Sequence, residues 1–163
     1  MKLKNLILTA FFVALALVFN LLEGLLPFPL PGVKLGLANV FALAALVMLG
    51  TKEAFFVTIL RVILAWLITA NIFSFLCGMT GGLLATVVMA VMYTKFQKEF
   101  SLPWISVAGA WAFNIGQTII ATYIVGDIRL MYYVLPLLII GTVTGWVVGK
   151  LAEILCTRLN QFK

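Results

Sequence analysis

Histidine is absent from this sequence of 163 residues, and acidic residues number only five. Cys77 and Cys156 lie in different apolar segments without a CxxC pair, which excludes the usual Cys/His zinc patterns. Asp127 is the only aspartate, so the chain lacks the paired carboxylates that hold Mg²⁺ against a diphosphate. A Walker A sequence is also absent, which excludes P-loop ATP hydrolysis by this chain. We therefore predict no metal site, no cofactor and no enzymatic activity in the chain itself.

Charged residues are scarce as well. They make up 10% of the chain, whereas 64% of it is hydrophobic and the mean hydropathy is +1.21. A soluble domain needs a polar surface that so few charges cannot supply, so the composition predicts an integral membrane protein. No linker or low-complexity tract interrupts the apolar pattern, which predicts one membrane domain over residues 1–163. The net charge is +6 because basic residues outnumber acidic ones. These basic residues lie at the ends of apolar segments, where they orient the chain in a bilayer, so they do not indicate a nucleic-acid partner.

The apolar segments predict an all-α fold, a polytopic bundle of six transmembrane helices. Polar turns and glycines divide the chain, and a spanning helix needs about 20 apolar residues. The predicted helices cover residues 5–26, 35–49, 53–70, 75–94, 102–125 and 130–155. Pro136 is expected to kink the sixth helix.

Basic residues predict the orientation of these helices. With the N-terminus in the cytoplasm, only Lys34 and Arg129 face outward, while Arg61 falls inside a helix. The cytoplasmic side then holds Lys2, Lys4, Lys52, Lys95, Lys98, Lys150, Arg158 and Lys163. This asymmetry places both termini in the cytoplasm.

A proline-rich loop, residues 27–39, joins the first two predicted helices. Its three prolines at alternate positions exclude an α-helix there. The loop carries Lys34 and lies at the outer mouth of the predicted bundle. Two interpretations are open: the loop covers a ligand between the helices, or it is an ordinary connection stiffened by proline.

Arg61 is a charged residue that lies well inside the third predicted membrane helix. An arginine at membrane depth costs about 2.5–3.5 kcal/mol on insertion scales, so it must face the bundle interior or water. It either binds an anionic or carbonyl-bearing ligand or forms a structural ion pair with Glu23.

Buried amides share the predicted depth of Arg61. Asn39 lies near the outer start of the second helix, and Asn114 and Gln117 lie three residues apart on one face of the fifth. Amides in lipid need partners. The common level favours an outward-facing substrate pocket formed by Glu23, Lys34, Asn39, Arg61, Asn114 and Gln117. The alternative is that each amide only joins neighbouring helices.

Small residues mark two helix faces where backbones can approach closely. Ala10 and Ala14 form an AxxxA face on the first helix, and the sixth helix carries a doubled GxxxG motif at Gly141, Gly145 and Gly149. The glycine motif predicts helix packing.

Four stretches together resemble a known family. They are residues 31–39 (PGVKLGLAN), residues 52–54 (KEA) together with residues 60–61 (LR), residues 81–84 (GGLL) and residues 112–117 (AFNIGQ). They resemble the small bacterial membrane proteins called Gx transporters, also labelled heptaprenyl diphosphate synthase component I, over nearly the whole chain. Phe113 departs from the histidine expected in many relatives.

That family is in turn similar to the substrate-binding S components of energy-coupling factor (ECF) transporters. The resemblance implies a six-helix protein of the bacterial cytoplasmic membrane that captures a small micronutrient, vitamin-like or a quinone or isoprenoid precursor, from outside. It also implies that Ala10 and Ala14 dock a transmembrane T subunit, and that two partner ATPase subunits use ATP to drive uptake. The alternatives are a membrane subunit associated with heptaprenyl diphosphate synthase and a non-catalytic assembly protein.

Overall fold

A computed structural model describes residues 3–25 and 36–160, and these residues form helices and turns without a strand. Six α-helices follow one another, which confirms the predicted all-α fold and the helix count. They are α1 Leu3–Gly24, α2 Asn39–Met48, α3 Thr51–Thr69, α4 Ile72–Phe96, α5 Leu102–Val125 and α6 Val134–Asn160, with a 3-10 helix, Ile128–Tyr133, directly before α6.

Within the described residues, three segments are long and apolar enough to cross a membrane: Leu3–Gly24, Ile72–Phe96 and Ile128–Leu159. They indicate a membrane protein, as the composition predicts. The second helix differs most from its prediction over residues 35–49. It has 10 residues, hence a length of about 15 Å, which is half of a hydrocarbon core of about 30 Å.

Local backbone chemistry explains where the helices begin. Before α2, Gly36 has a positive φ of 80°, and residues 36–38 form a turn in which Asn39 N–H donates to the Gly36 carbonyl at 2.9 Å. The α4 helix begins three residues earlier than predicted because the side chain of Asn71 accepts a bond from Ser74 N–H at 2.9 Å. Pro136 lies in the first turn of α6, where its missing N–H is not needed for an intrahelical bond.

The short α2 helix lies at the centre of the packing. All its residues from Asn39 to Leu46 are buried, and it contacts α1, α3, α4 and α6. The α5 helix packs against α4 on one side and α6 on the other. An apolar helix covered on all sides suits an interior position, which explains why α2 needs no polar face.

The three glycines of α6 lie against α5. A Cβ atom at Gly141 would be 2.6 Å from Asn114 Nδ2, and one at Gly145 would be 2.9 Å from Val107 Cα. A Cβ at Gly149 would overlap Pro103 Cα. The doubled motif therefore lies at close contacts between the two helices, where a larger side chain would not fit.

Candidate functional site

Arg61 joins two helices inside the bundle. Its side chain is only 2% exposed, and its Nη2 donates to Oδ1 of Asn39 at 2.6 Å. Asn39 is the first residue of α2 and is itself buried. A charged donor makes this a strong bond in an apolar environment, so Arg61 fixes the start of α2 against α3.

Glu23 adds a third helix to this arrangement. Its carboxylate Oε1 accepts a hydrogen bond from the backbone N–H of Leu37 at 2.6 Å, and it attracts the Arg61 guanidinium electrostatically. Glu23 is 2% exposed near the end of α1. We call Glu23, Asn39 and Arg61 the Arg61 group; it brings opposite charges together where α1 ends and α2 begins.

Space for the arginine comes from a glycine that the sequence reasoning did not assign to the site. A Cβ at Gly82 of α4 would be 3.5 Å from Arg61 Nη2 and 2.9 Å from Thr58 Cγ2. Thr58 in turn bonds Thr86 through the two hydroxyls at 2.8 Å. For Thr58 the sequence did offer a signal: it precedes Arg61 by three residues, so both side chains lie on the same face of α3.

One nitrogen of the Arg61 side chain has no hydrogen-bond acceptor in the part of the chain that the structure describes. Nε of Arg61 is buried and has no hydrogen-bond partner among the described residues. A buried donor left without an acceptor costs about 1–3 kcal/mol, and more when it is charged. The arrangement can therefore accept a further oxygen or nitrogen acceptor at the guanidinium.

Phe113 fills the space beside the Arg61 group. Its ring would lie 3.2 Å from a Cβ at Gly81 and 3.7 Å from a Cβ at Gly36. The residue is 2% exposed. This aromatic side chain thus closes an apolar wall between α4, α5 and the turn that precedes α2.

Asn114 and Gln117 form a second polar group, between α5 and α6. Asn114 Nδ2 donates to the Leu137 carbonyl at 2.8 Å, and Gln117 Nε2 donates to Asn114 Oδ1 at 2.8 Å. Thr118 hydroxyl donates to the Asn114 carbonyl at 2.8 Å. Both side-chain ends of Asn114 thus have partners within the protein, and the bond to Leu137 ties α5 to α6.

One protein-family model matches most of the chain. The model of the family described as heptaprenyl diphosphate synthase component I matches residues 12–155. The chain belongs to this family. No curated protein and no solved structure matches it.

The match confirms the family resemblance. It includes the Arg61 group as well as Asn114 and Gln117 of this component I family member. Lys34 and the prolines of the predicted loop lie outside the described residues. Ala10 and Ala14 are exposed on the surface of α1. Within residues 3–25 and 36–160, the Cys, Asp and Glu side chains form no group of three that could hold a metal ion.

Proposed function

We propose that this component I family member is the substrate-binding S component of an ECF-type transporter. It would capture a small micronutrient from outside, and partner subunits would supply the energy from ATP. In this proposal the chain has no enzymatic activity and no cofactor of its own.

The buried guanidinium of Arg61 is the observation that carries the proposal. Its Nη2 bonds Asn39, while its Nε has no acceptor among the described residues. Buried donors are rarely left unsatisfied, so this nitrogen is expected to have an acceptor in the working protein. A bound ligand with a carbonyl or acidic oxygen would supply the missing acceptor.

The proposed ligand is a vitamin-like molecule or a quinone or isoprenoid precursor. The Arg61 group would bind its polar end, with Lys34 as a second cation. Phe113 offers an apolar aromatic surface for the remainder. Asn114 and Gln117 already have partners within the protein, so we assign them to the floor that shapes the site.

Topology and partners follow from the same proposal. The six helices would form one bundle in the bacterial cytoplasmic membrane, and both termini would be cytoplasmic. The exposed alanines Ala10 and Ala14 leave a shallow face on α1. A transmembrane T subunit carrying two ATPase subunits would dock on this face, since small residues allow close helix approach.

The family description supports one other candidate, a membrane subunit associated with heptaprenyl diphosphate synthase. Such a subunit would bind a soluble catalytic partner and would need no ligand at Arg61. Affinity purification from membranes separates the two candidates: a T subunit and ATPases support transport, whereas a soluble prenyl synthase supports the alternative.

Native mass spectrometry of the purified protein tests the ligand. We expect a bound small molecule in the wild-type protein and its loss in the folded Arg61→Ala variant. A protein that carries no small molecule, from cells or after incubation with an extract of the growth medium, would contradict substrate capture.

A further inference from the structure

A cleft opens between α1, α3 and α4, apart from the Arg61 group. Its empty volume, counted out to open solvent, is about 230 Å³, and its enclosed part has room for about one water molecule. None of the residues that line it is charged. Four of them are polar: Asn20, Thr69, Asn71 and Ser74.

Local bonds determine which polar groups of the cleft can bind a guest. Asn71 Oδ1 accepts from Ser74 N–H at 2.9 Å, and the Thr69 hydroxyl donates to the Ala65 carbonyl at 2.8 Å. The Asn71 amide protons, the Thr69 lone pairs and the Ser74 hydroxyl are therefore the groups suited to a new bond. Together they can donate to and accept from one neutral oxygen.

The remaining residues that line the cleft are apolar, and the cleft opens toward an apolar surface of the protein. Trp66 and Phe75 line it as a tilted pair with ring centroids 5.2 Å apart. The end of α1, the end of α3 and the start of α4 also expose large apolar side chains. These are Leu22, Leu67 and Ile72, which are 53%, 65% and 56% exposed. In a membrane protein such side chains face hydrocarbon, so a guest can reach the cleft from the bilayer.

We propose that this cleft binds the polar end of an uncharged amphiphile. A single hydroxyl or carbonyl oxygen would occupy the enclosed part, where only a water-sized group fits, and the hydrocarbon chain would lie along the exposed apolar side chains. A charged head group would enter without a counter-charge and lose its hydration, which disfavours it. The inference does not rest on the transport proposal, because it uses neither Arg61 nor a partner subunit.

Tryptophan fluorescence in phosphatidylcholine nanodiscs tests this assignment. The probes are an undecanol brominated on the carbon next to the hydroxyl-bearing carbon and the matching undecanoate, because bromine quenches a tryptophan that it closely approaches. We expect the alcohol to quench part of the emission saturably, and the Trp66→Phe variant to lose that part. The carboxylate should need at least a tenfold higher concentration.

Glycine substitutions provide a matched control. A Cβ at Gly78 would meet the methyl groups of Val62 at 3.8 and 3.9 Å, which is ordinary contact, so Gly78→Ala keeps the fold while filling the enclosed space. It should raise the half-saturating alcohol concentration at least tenfold. At Gly24 a Cβ would meet nothing within 4 Å, so Gly24→Ala should leave it unchanged. Ser74→Ala, which deletes one hydroxyl, should weaken binding about two- to tenfold.

Two results would overturn the inference. Quenching that rises linearly with alcohol in all variants would show simple partition into the bilayer and a cleft that holds only water. Tighter binding of the carboxylate than of the alcohol would exclude an uncharged head group.

Discussion

Gly141 of α6 faces the side-chain amide of Asn114 of α5, and a Cβ at position 141 would lie only 2.6 Å from Asn114 Nδ2. The glycine thus makes room for a hydrogen bond: the same Nδ2 donates to the carbonyl of Leu137, one turn earlier in α6. The first glycine of the motif accommodates a polar side chain, whereas Gly145 accommodates the α5 backbone at Val107.

Replacing Gly141 by alanine should therefore break the bond between Asn114 and Leu137. The displaced buried amide should lower the free energy of unfolding by about 1–3 kcal/mol. Denaturant titration in mixed micelles measures this change. In an Asn114→Ala background the same substitution should cost much less, because the clash is removed; equal costs in both backgrounds would refute the role assigned to Gly141.

Gly145→Ala should also destabilise the protein, for a different reason. Its Cβ would press on the Val107 Cα at 2.9 Å, and a backbone cannot yield as a side-chain end can. We expect a loss of about 1–3 kcal/mol. Gly78→Ala, with open contacts, should instead be neutral or stabilise by about 0.4–1 kcal/mol. A stability of Gly145→Ala equal to that of Gly78→Ala would exclude close packing of α5 and α6.

Arg61→Ala should weaken binding of the co-purifying ligand about ten- to a hundredfold, because a charge-assisted bond is lost in a low-dielectric site. Arg61→Lys should restore little of it, since lysine lacks the planar fork that serves Asn39 and a ligand together. Isothermal titration with the molecule identified by mass spectrometry gives the affinities.

A control separates binding from stability at this site. Glu23→Gln leaves a buried guanidinium without its neighbouring negative charge and should destabilise the fold by several kcal/mol. If Arg61→Ala lowers the melting temperature as Glu23→Gln does but leaves ligand affinity unchanged, Arg61 belongs to a structural ion pair.

Bulky residues on the exposed face of α1 should block the proposed T subunit. Ala10→Trp combined with Ala14→Trp should abolish recovery of the transporter complex while ligand binding to the isolated protein persists. Val143→Trp, on an exposed position of α6 (65% exposed), is the matched control. Undiminished pull-down of the complex by the double variant would remove these alanines from the docking face.

Cysteine labelling in intact cells should report the orientation of the bundle. Cys77 and Cys156 are both buried and can be replaced by alanine to give a silent background. A membrane-impermeant maleimide should then label Tyr132→Cys, in the 3-10 helix, and leave Gln97→Cys, between α4 and α5, protected. The reverse pattern would invert the proposed topology.

Local signals in the sequence were sufficient for much of the fold. The α5 helix has its predicted bounds, 102–125, because Pro103 favours a first turn and Gly126 ends the helix with a φ of 74°. The start of α2 was misplaced because an apolar run continues through Gly36 to Ala38. Only the positive φ at Gly36, a backbone property, shows that the chain turns there.

The candidate site was less accessible to sequence reasoning. Depth along a helix grouped Arg61 with the amides, but the bond from Leu37 N–H to Glu23 and the hydroxyl pair of Thr58 and Thr86 join residues that are distant in the chain. Depth also could not distinguish Asn39, which bonds Arg61, from Asn114, which bonds α6. Such pairings depend on helix rotation and packing, which no single segment determines.

The burial of α2 has a consequence for how the chain is made. This helix precedes α3 to α6 in the chain, yet its surroundings include α6. With only 10 residues it is too short to settle across a bilayer by itself. Its final burial must therefore wait until α6 has been synthesised. A nascent chain halted before α6 will leave one side of α2 uncovered, even where α1, α3 and α4 already contact it. Such a chain should be recognised by membrane quality-control proteases more readily than the finished bundle.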